Sequence, residues 1–284
     1  MNTPCLVVMA LGFNLAAPSD DALWGGRAAE LERGGRLAEV APEIARQLDL
    51  DARAPWLELW AESLNFDEHA HGVIVPEVIE DALLRAGGAP PRRGLVVHAG
   101  LTHTYGYLFS TLVTPFGYKR ARWVDDTLEH GFGLPRGTLG PDPGQGSLLG
   151  NVSWFAGRIA LRDSARAQSM LLASARDVAT AVTQFDYAAL QSACVEECDG
   201  GTCLHTDLVP LLWPRPSDSS HWLVYSLHTQ GALPRLISAF PVSANVVAAL
   251  LDPGAFGDQV PIKGKYNVYL PEFGAVGRRQ ICRS

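Results

Sequence analysis

The chain has 284 residues, 47% of them hydrophobic, which is enough to bury a full core in one large domain or in two smaller ones. Its 30 acidic residues outnumber its 23 Lys and Arg residues, and the formal net charge is -7. Because binding to nucleic-acid phosphates requires an excess of basic residues, this balance argues against a protein that binds nucleic acid unaided.

Residues 1–17 have three interpretations, one of which is an acylated anchor at Cys5, although no lipidation motif surrounds that residue. The apolar run at 6–15, followed by Ala16 and Ala17, is typical of a signal-peptide core, although no Lys or Arg precedes it. The same run is equally typical of a buried first β-strand. A signal peptide predicts a periplasmic or secreted protein, whereas a strand predicts a cytoplasmic one. The run is too short to span a bilayer, and we expect no transmembrane segment.

Residues 18–90 are predicted to form a helical subdomain. Helix-start residues, apolar periodicity and Gly or Pro breaks indicate four short helices, at 22–33, 37–48, 55–64 and 78–85. The Ala-Pro-Pro-Arg-Arg stretch at 89–93 has the composition of a domain boundary. We therefore expect these helices to pack as a cap or lid on the rest of the chain.

Residues 91–284 are predicted to form an α+β domain. Strand periodicity occurs at 95–101, 103–113, 118–124, 151–161, 221–228, 234–240 and 265–271. One long helix is predicted from about 165 to 197 and one short helix from 244 to 251. The whole chain is thus predicted to be an α+β protein, with a helical N-terminal region packed on a mostly antiparallel sheet.

Histidines, tyrosines and basic residues, the side chains that could take part in catalysis, are concentrated at 95–123. The strand periodicity predicts that this segment is a β-hairpin. His98 and His103, on neighbouring segments, could exchange a proton as an acid and base pair. Tyr105 would orient the substrate, and Lys119 would stabilise a developing negative charge. The side chains predicted to hold an anionic substrate group are Tyr107, Arg120 and Arg122.

This hairpin predicts a small exported hydrolase or lyase that uses histidine-based acid–base catalysis on a polar or anionic substrate. The alternative is a non-catalytic binding protein, because the Tyr, Trp and Arg of the same hairpin are the residue types that dominate binding surfaces. No nucleophile elbow, phosphate loop or zinc-protease helix is present in the sequence, and we expect no cofactor.

His69 and His71 support a third hypothesis, a metal-dependent enzyme. Their spacing would place both imidazoles on one face of a strand, but a metal site would need a third ligand. The simpler interpretation is a pair of loop histidines in solvent.

The cysteines have two mutually exclusive interpretations. If Cys5 is removed with the first segment, the remaining four can form two disulfides, Cys198 with Cys203 and Cys194 with Cys282, as expected in an oxidising compartment. In a cytosolic protein, zinc could instead bind to Cys194, Cys198, Cys203 and His205.

Overall fold

The computed structural model describes residues 20–114, 117–214, 219–261, 269 and 276–282. The interpretations of residues 1–17, and the strand predicted at 265–271 apart from Tyr269, lie outside these residues. Among the described residues, no helix has both the length and the apolar character needed to cross a bilayer.

The helices occupy mainly the first two thirds of the chain. The α-helices are α1 (Asp20–Glu32), α2 (Leu37–Val40), α3 (Pro42–Asp51), α4 (Glu77–Ala86), α5 (Ala99–Leu101), α6 (Ala121–Val124), α7 (Thr127–Phe132), α8 (Leu148–Ala160), α9 (Ala165–Ala173), α10 (Thr180–Thr183) and α11 (Ala244–Leu250). Short 3₁₀ helices are Pro55–Leu59, Ala175–Asp177, Tyr187–Ala189 and Pro253–Ala255. Helix α5 continues directly into a π-helical stretch, Thr102–Gly106.

Six of the described strands form one antiparallel sheet, and the other four form two small two-stranded sheets. The strands are β1 (Glu62–Leu64), β2 (Val96–His98), β3 (Val113–Thr114), β4 (Gly117–Tyr118), β5 (Ala193–Asp199), β6 (Thr202–Pro210), β7 (Ser219–Thr229), β8 (Arg235–Ser243), β9 (Gly257–Pro261) and β10 (Val276–Ile281). The large sheet has the order β8-β7-β6-β5-β10-β9, while β1 pairs with β2 and β3 with β4. The predicted α+β class is therefore confirmed.

Both faces of the sheet centre are covered. Successive strand residues point to opposite faces, yet Trp222, Leu223, Val224 and Tyr225 of β7 are all buried. Trp222 and Val224 belong to the large core that the sheet shares with the helices. Leu223 and Tyr225 belong to a smaller core, which α11 closes on the opposite face.

Several predicted elements are confirmed. The helices expected at 22–33 and 78–85 correspond to α1 and α4, and the strands expected at 221–228 and 234–240 correspond to β7 and β8. The short helix predicted at 244–251 is α11. The helix predicted at 37–48 is divided between α2 and α3, and Pro42 begins the second of them.

The hairpin predicted at 95–123 is wrong over most of its length, since only the two-residue strands β3 and β4 pair as expected, with Val113 opposite Tyr118. Only Val96–His98 of its first strand is extended, and α5 with its π-helical continuation occupies 99–106. Every residue from 99 to 110 is buried. A helix enclosed on all sides has no solvent-facing polar stripe, so periodicity cannot distinguish its short sequence from that of a buried strand. The predicted strand at 151–161 is wrong for the same reason, because it lies almost entirely in the buried helix α8.

The long helix predicted at about 165–197 is also wrong. It divides into α9, α10 and two 3₁₀ turns, and its last residues form β5. Side chains from elsewhere supply the hydrogen bonds that a continuous helix would have made: Asn151 accepts from the Ala179 N–H at 3.0 Å, and Gln145 accepts from the Thr180 N–H at 3.3 Å. Tertiary contacts have overridden the local helical preference.

Trp60 connects the helices to the sheet. Its indole donates to Ser153 of α8 at 2.8 Å, and it forms a parallel bridge with Leu236 of β8. The indole lies directly against Gly100, where an added Cβ would be 2.7 Å from the Trp60 Cγ. The path of α5 past the sheet therefore requires glycine at this position.

We predict that Gly100→Ala destabilises the protein by about 1–3 kcal/mol, because the new methyl group would force Trp60 or α5 to move. Gly26→Ala is the matched control, since an added Cβ at this position of α1 has no neighbour within 4 Å. That variant should be unchanged or slightly more stable, because alanine favours helix. Urea unfolding measures both, and equal midpoints for Gly100→Ala and the wild type would contradict the prediction.

Candidate functional site

The buried segment Ala99–Gly106 directs its side chains to two different polar clusters. His103 and Tyr107 are four residues apart, which places them on the same side of a helix. Tyr105 lies between them and points to another side. The seven side chains proposed from the sequence are therefore divided by the geometry of this helical turn.

One group, which we call the cationic cluster, consists of His103, Tyr107, Lys119 and Arg122. The His103 and Tyr107 rings have centroids 4.9 Å apart. The Arg122 guanidinium carbon lies 5.1 Å from the Tyr107 ring centroid and 5.0 Å from that of Phe240 on β8. The structure thus brings together four of the seven residues proposed from the sequence.

Positive charge exceeds negative charge in the cationic cluster. Burial lowers the pKa of Lys119 to about 8, and the neighbouring Arg122 charge acts in the same direction, against Asp67. Burial also lowers the pKa of Arg122 to about 10, opposed by Tyr107. For His103, burial and then the charges of Arg122 and Lys119 hold the pKa well below its ordinary value of 6.5. At neutral pH the cluster has two cations and a neutral imidazole.

Asp67 is the carboxylate that pairs with Lys119, with its Oδ2 atom 3.0 Å from the Nζ atom. Burial acts to raise the pKa of Asp67, but hydrogen bonds from Ala70, Lys119 and His69, together with the Lys119 charge, lower it overall. Asp67 is therefore ionised at neutral pH and balances one of the two cations.

Arg122 has a different environment. Its guanidinium lies 3.4 Å from the Ser238 hydroxyl and packs on the two aromatic rings, and no carboxylate of the described residues lies within ion-pair distance of it. His103 is 1% exposed, and its ring nitrogens make no hydrogen bond of standard geometry, although the Ile237 backbone lies close enough to influence its pKa. These are the two groups of the cluster whose hydrogen-bonding capacity is least satisfied.

His98 does not join His103 in a proton-transfer pair. Its Nε2 atom lies 3.0 Å from the Leu57 carbonyl oxygen, and its Nδ1 atom accepts a 3.3 Å hydrogen bond from the Leu101 N–H at the start of α5. Burial lowers its pKa, so the ring is neutral, with Nε2 as the donor. Nδ1 caps α5 and Nε2 is bonded to Leu57, so both nitrogens are engaged and the geometry gives no support to the predicted acid–base pair.

Arg120 also lies apart from the cationic cluster. It forms an ion pair with Asp21 at 2.6 Å, donates to the Ser110 carbonyl at 2.5 Å and packs over the Tyr118 ring. These contacts attach the segment after β4 to α1 and the end of the buried helix. Its role in the structure is therefore to hold these elements together.

The proposed Tyr, Trp and Arg recognition surface also lacks support. Tyr105 and Tyr107 are buried, and the buried Trp123 indole donates to the His103 carbonyl at 2.6 Å. These aromatic side chains are internal, whereas a recognition surface must be exposed.

Tyr105 belongs to a second polar group, the Asp51 cluster, which consists of Gln47, Asp51, Tyr105 and Ser147. The Tyr105 hydroxyl donates to Asp51 Oδ2 at 2.5 Å, and the Ser147 hydroxyl donates to Asp51 Oδ1. Gln47 accepts from the Leu148 N–H at 2.8 Å. Burial raises the pKa of Asp51 to about 7, against the effect of hydrogen bonds from Ser147 and Tyr105.

A cavity of about 370 Å³ lies beside the Asp51 cluster, and Trp56, Arg53 and Arg176 contribute to its wall. The cluster nevertheless has a structural explanation. Ser147 caps α8 by accepting from the Gly150 N–H at 2.9 Å, while its own proton is donated to Asp51. The Ser147 hydroxyl and Asp51 Oδ1 thus join α3 to α8, while Asp51 Oδ2 is engaged by Tyr105.

His69 and His71 lie in a turn and not in a strand. The His69 N–H donates to Asp67 Oδ1 at 3.1 Å, and His71 has a left-handed backbone with a φ of 49°. Among the residues with described positions, neither histidine belongs to a group of three metal-ligating side chains. The metal hypothesis based on these two residues gains no third ligand.

The predicted cysteine pairs are confirmed. The sulfurs of Cys198 and Cys203 lie at bonding distance across the β5–β6 turn, as do those of Cys194 and Cys282 at the end of β10. The four-ligand zinc set proposed from the sequence is not assembled, because Cys194 pairs with Cys282 and not with the two turn cysteines. The pairs are consistent with an oxidising compartment.

Asp51 and Glu80 are fully buried carboxyl groups that no sequence motif identifies. Glu80 accepts from the Thr102 hydroxyl at 2.6 Å, and burial raises its pKa to about 7. Helical spacing gives a weak signal for Glu80, which shares the inward side of α4 with Ile79 and Leu83. Asp51 ends its helix and gives no comparable signal.

No protein-family model, curated protein or solved structure matches this chain. Its function must therefore be inferred from the geometry of the described side chains.

We predict that Asp51→Asn reduces the pH dependence of stability. Because the folded pKa of Asp51 is raised from 3.8 to about 7, its contribution is fully present below pH 3.8 and is lost as the pH rises through about 7. As the pH rises from 3.8 to about 7, the free energy of unfolding should therefore fall less steeply in the variant than in the wild type. The two slopes should differ by about 1.4 kcal/mol per pH unit.

Urea unfolding at a series of pH values measures this slope. Asp49→Asn is the control for the chemical change, because it makes the same substitution at an exposed position of the same helix. An Asp51→Asn protein with the wild-type slope would show that Asp51 is not protonated in the folded state.

Proposed function

We propose that this protein binds a small anionic molecule at the cationic cluster, with Arg122 as the principal contact. The observation that carries the proposal is the environment of Arg122, which packs on Tyr107 and Phe240 and makes no ion pair with a carboxylate of the described chain. Removing a cation from water is costly unless a counter-charge compensates it. A bound anion would provide that compensation.

The chemistry of the other cluster residues supports the same ligand class. The planar guanidinium of Arg122 matches the geometry of carboxylate and phosphate groups. Lys119, which pairs with Asp67, adds a second positive charge, and the neutral His103 ring offers an N–H group. The ligand class is therefore a small molecule with a phosphate or carboxylate group.

A hydrolase or lyase acting on such a molecule is the second candidate function, with His103 as the single general base. The specific observation that favours it is the position of a neutral imidazole beside Tyr107 and two cations, with neither ring nitrogen committed to a standard hydrogen bond. A bound anion would offset the positive field and raise the proton affinity of His103. An exported location remains part of this proposal, supported by the two cysteine pairs.

We predict that inorganic phosphate, glycerol phosphate or succinate raises the thermal unfolding midpoint of the wild type, and that Arg122→Met abolishes the effect. A ligand present at 100 times its dissociation constant stabilises the folded state by about 2.7 kcal/mol. Differential scanning fluorimetry at low salt measures the shift. An Arg122→Met protein that keeps the wild-type shift would contradict the assignment of Arg122.

The stability of the variants without ligand is the control. Because Arg122 makes no described ion pair, Arg122→Met should unfold at or above the wild-type midpoint. Arg120→Met is the matched comparison, since it removes a buried arginine that pairs with the exposed Asp21 and leaves the buried Ser110 carbonyl without its donor, which should cost about 1–3 kcal/mol. Equal losses of stability in both variants would indicate that Arg122 also has a structural role.

A further inference from the structure

A separate group of side chains lies on one face of the large sheet, at the end where β10 meets β5. Directly opposite residues on antiparallel strands share a face, and Glu196 of β5 is opposite His205 of β6. Cys194, two residues before Glu196, lies on the same face. Cys282 follows β10, and its N–H donates to the Cys194 carbonyl at 2.8 Å.

Three potential metal ligands converge at this point. The Cys194 Sγ, the Cys282 Sγ and a ring nitrogen of His205 all lie within 4.8 Å of one another. The Cys282 Sγ is 3.9 Å from His205 Nδ1. Tetrahedral zinc, with bonds of about 2.3 Å to sulfur and about 2.0 Å to nitrogen, separates such ligands by about 3.6 Å. The imidazole is therefore already close to its position in a zinc site.

Glu196 provides independent support for metal ligation by His205. Its Oε2 atom lies 3.5 Å from His205 Nε2, on the side of the ring away from Cys282. Metal-ligating histidines usually donate their second ring N–H to a carboxylate, which fixes the tautomer. Glu196 is itself held by Gln280 and Arg278 of β10. This arrangement leaves the Nδ1 lone pair directed towards the sulfurs.

We propose that reduction of the Cys194–Cys282 disulfide creates a zinc site made of Cys194, Cys282 and His205. The fourth position would be open to water. Because the same two sulfurs form either the disulfide or the metal site, the two states exclude each other. The inference is independent of the cationic cluster.

A phosphine and one water molecule together reduce the Cys194–Cys282 disulfide to two thiols. The phosphine takes the oxygen of one water molecule and becomes a phosphine oxide, while the S–S bond breaks and the two hydrogens of water pass to the sulfurs. Zinc then displaces both thiol protons to the solvent and binds the two thiolates.

A competing site must be distinguished. Glu196, Cys203 and His205 also lie within 4.8 Å of one another. That group would use the same imidazole after reduction of the Cys198–Cys203 pair. Variants that remove one cysteine pair at a time separate the two sites.

The experiment titrates cobalt(II), a spectroscopic substitute for zinc, into the full chain in a Cys5→Ser background that lacks the fifth thiol. Phosphine-reduced protein should bind one cobalt per chain, with a thiolate-to-metal charge-transfer band, and zinc should displace it. Oxidised protein should show no such band. Cys198→Ser/Cys203→Ser should keep the band, whereas Cys194→Ser/Cys282→Ser should lose it.

His205→Gln should lower the affinity of the reduced protein at least tenfold, and Glu196→Gln should lower it by about tenfold. Both substitutions leave the cysteines in place, so the fold of each oxidised variant can be checked by circular dichroism. An unchanged band in Cys194→Ser/Cys282→Ser, no band in reduced Cys198→Ser/Cys203→Ser, or binding only by an unfolded chain would each overturn the proposal.

Discussion

The buried helical segment Ala99–Gly106 constrains the rest of the structure, because it carries polar side chains through the main core. Burying a polar group is costly unless a hydrogen bond compensates it. Thr102 donates to Glu80, Thr104 donates to the Gly100 carbonyl, and Tyr105 donates to Asp51. His103 is the member of the segment whose ring has the weakest compensation, an interaction with the Ile237 backbone. The need for hydrogen-bond compensation thus distinguishes Thr102, Thr104 and Tyr105, which have structural roles, from His103, the candidate functional residue.

Two strands of the large sheet, β7 and β8, could be predicted from the sequence, because hydrophobic β-branched and aromatic runs indicated their bounds within a few residues. The cysteine pairs could also be predicted, since the turn at Gly200 returns β6 beside β5. The buried helices α5 and α8 could not. Both are buried on nearly all sides, so the alternation of buried and solvent-facing positions that identifies α1 and α4 is missing from them.

The candidate site was predicted in part, although for a wrong local structure. His103 and Tyr107 would share a face in a strand, as alternate residues do, and they also share a side of a helix at a spacing of four. Lys119 and Arg122 reach the same point from the segment that follows. Tyr105 would join His103 only in a strand, and its contact with Asp51 depends on the helical turn. The roles of His98 and Arg120 depend on tertiary partners, Leu57 and Asp21, that no local pattern reveals.

The central claim is that Arg122 creates a positive field at the cationic cluster that the described protein does not neutralise. The most direct test is an NMR titration of the Lys119 side-chain ammonium in the ligand-free wild type and in Arg122→Met. The wild-type pKa should be about 8, and loss of the Arg122 charge should raise it. A Lys119 pKa near its ordinary value of 10.5 in both proteins would contradict the account.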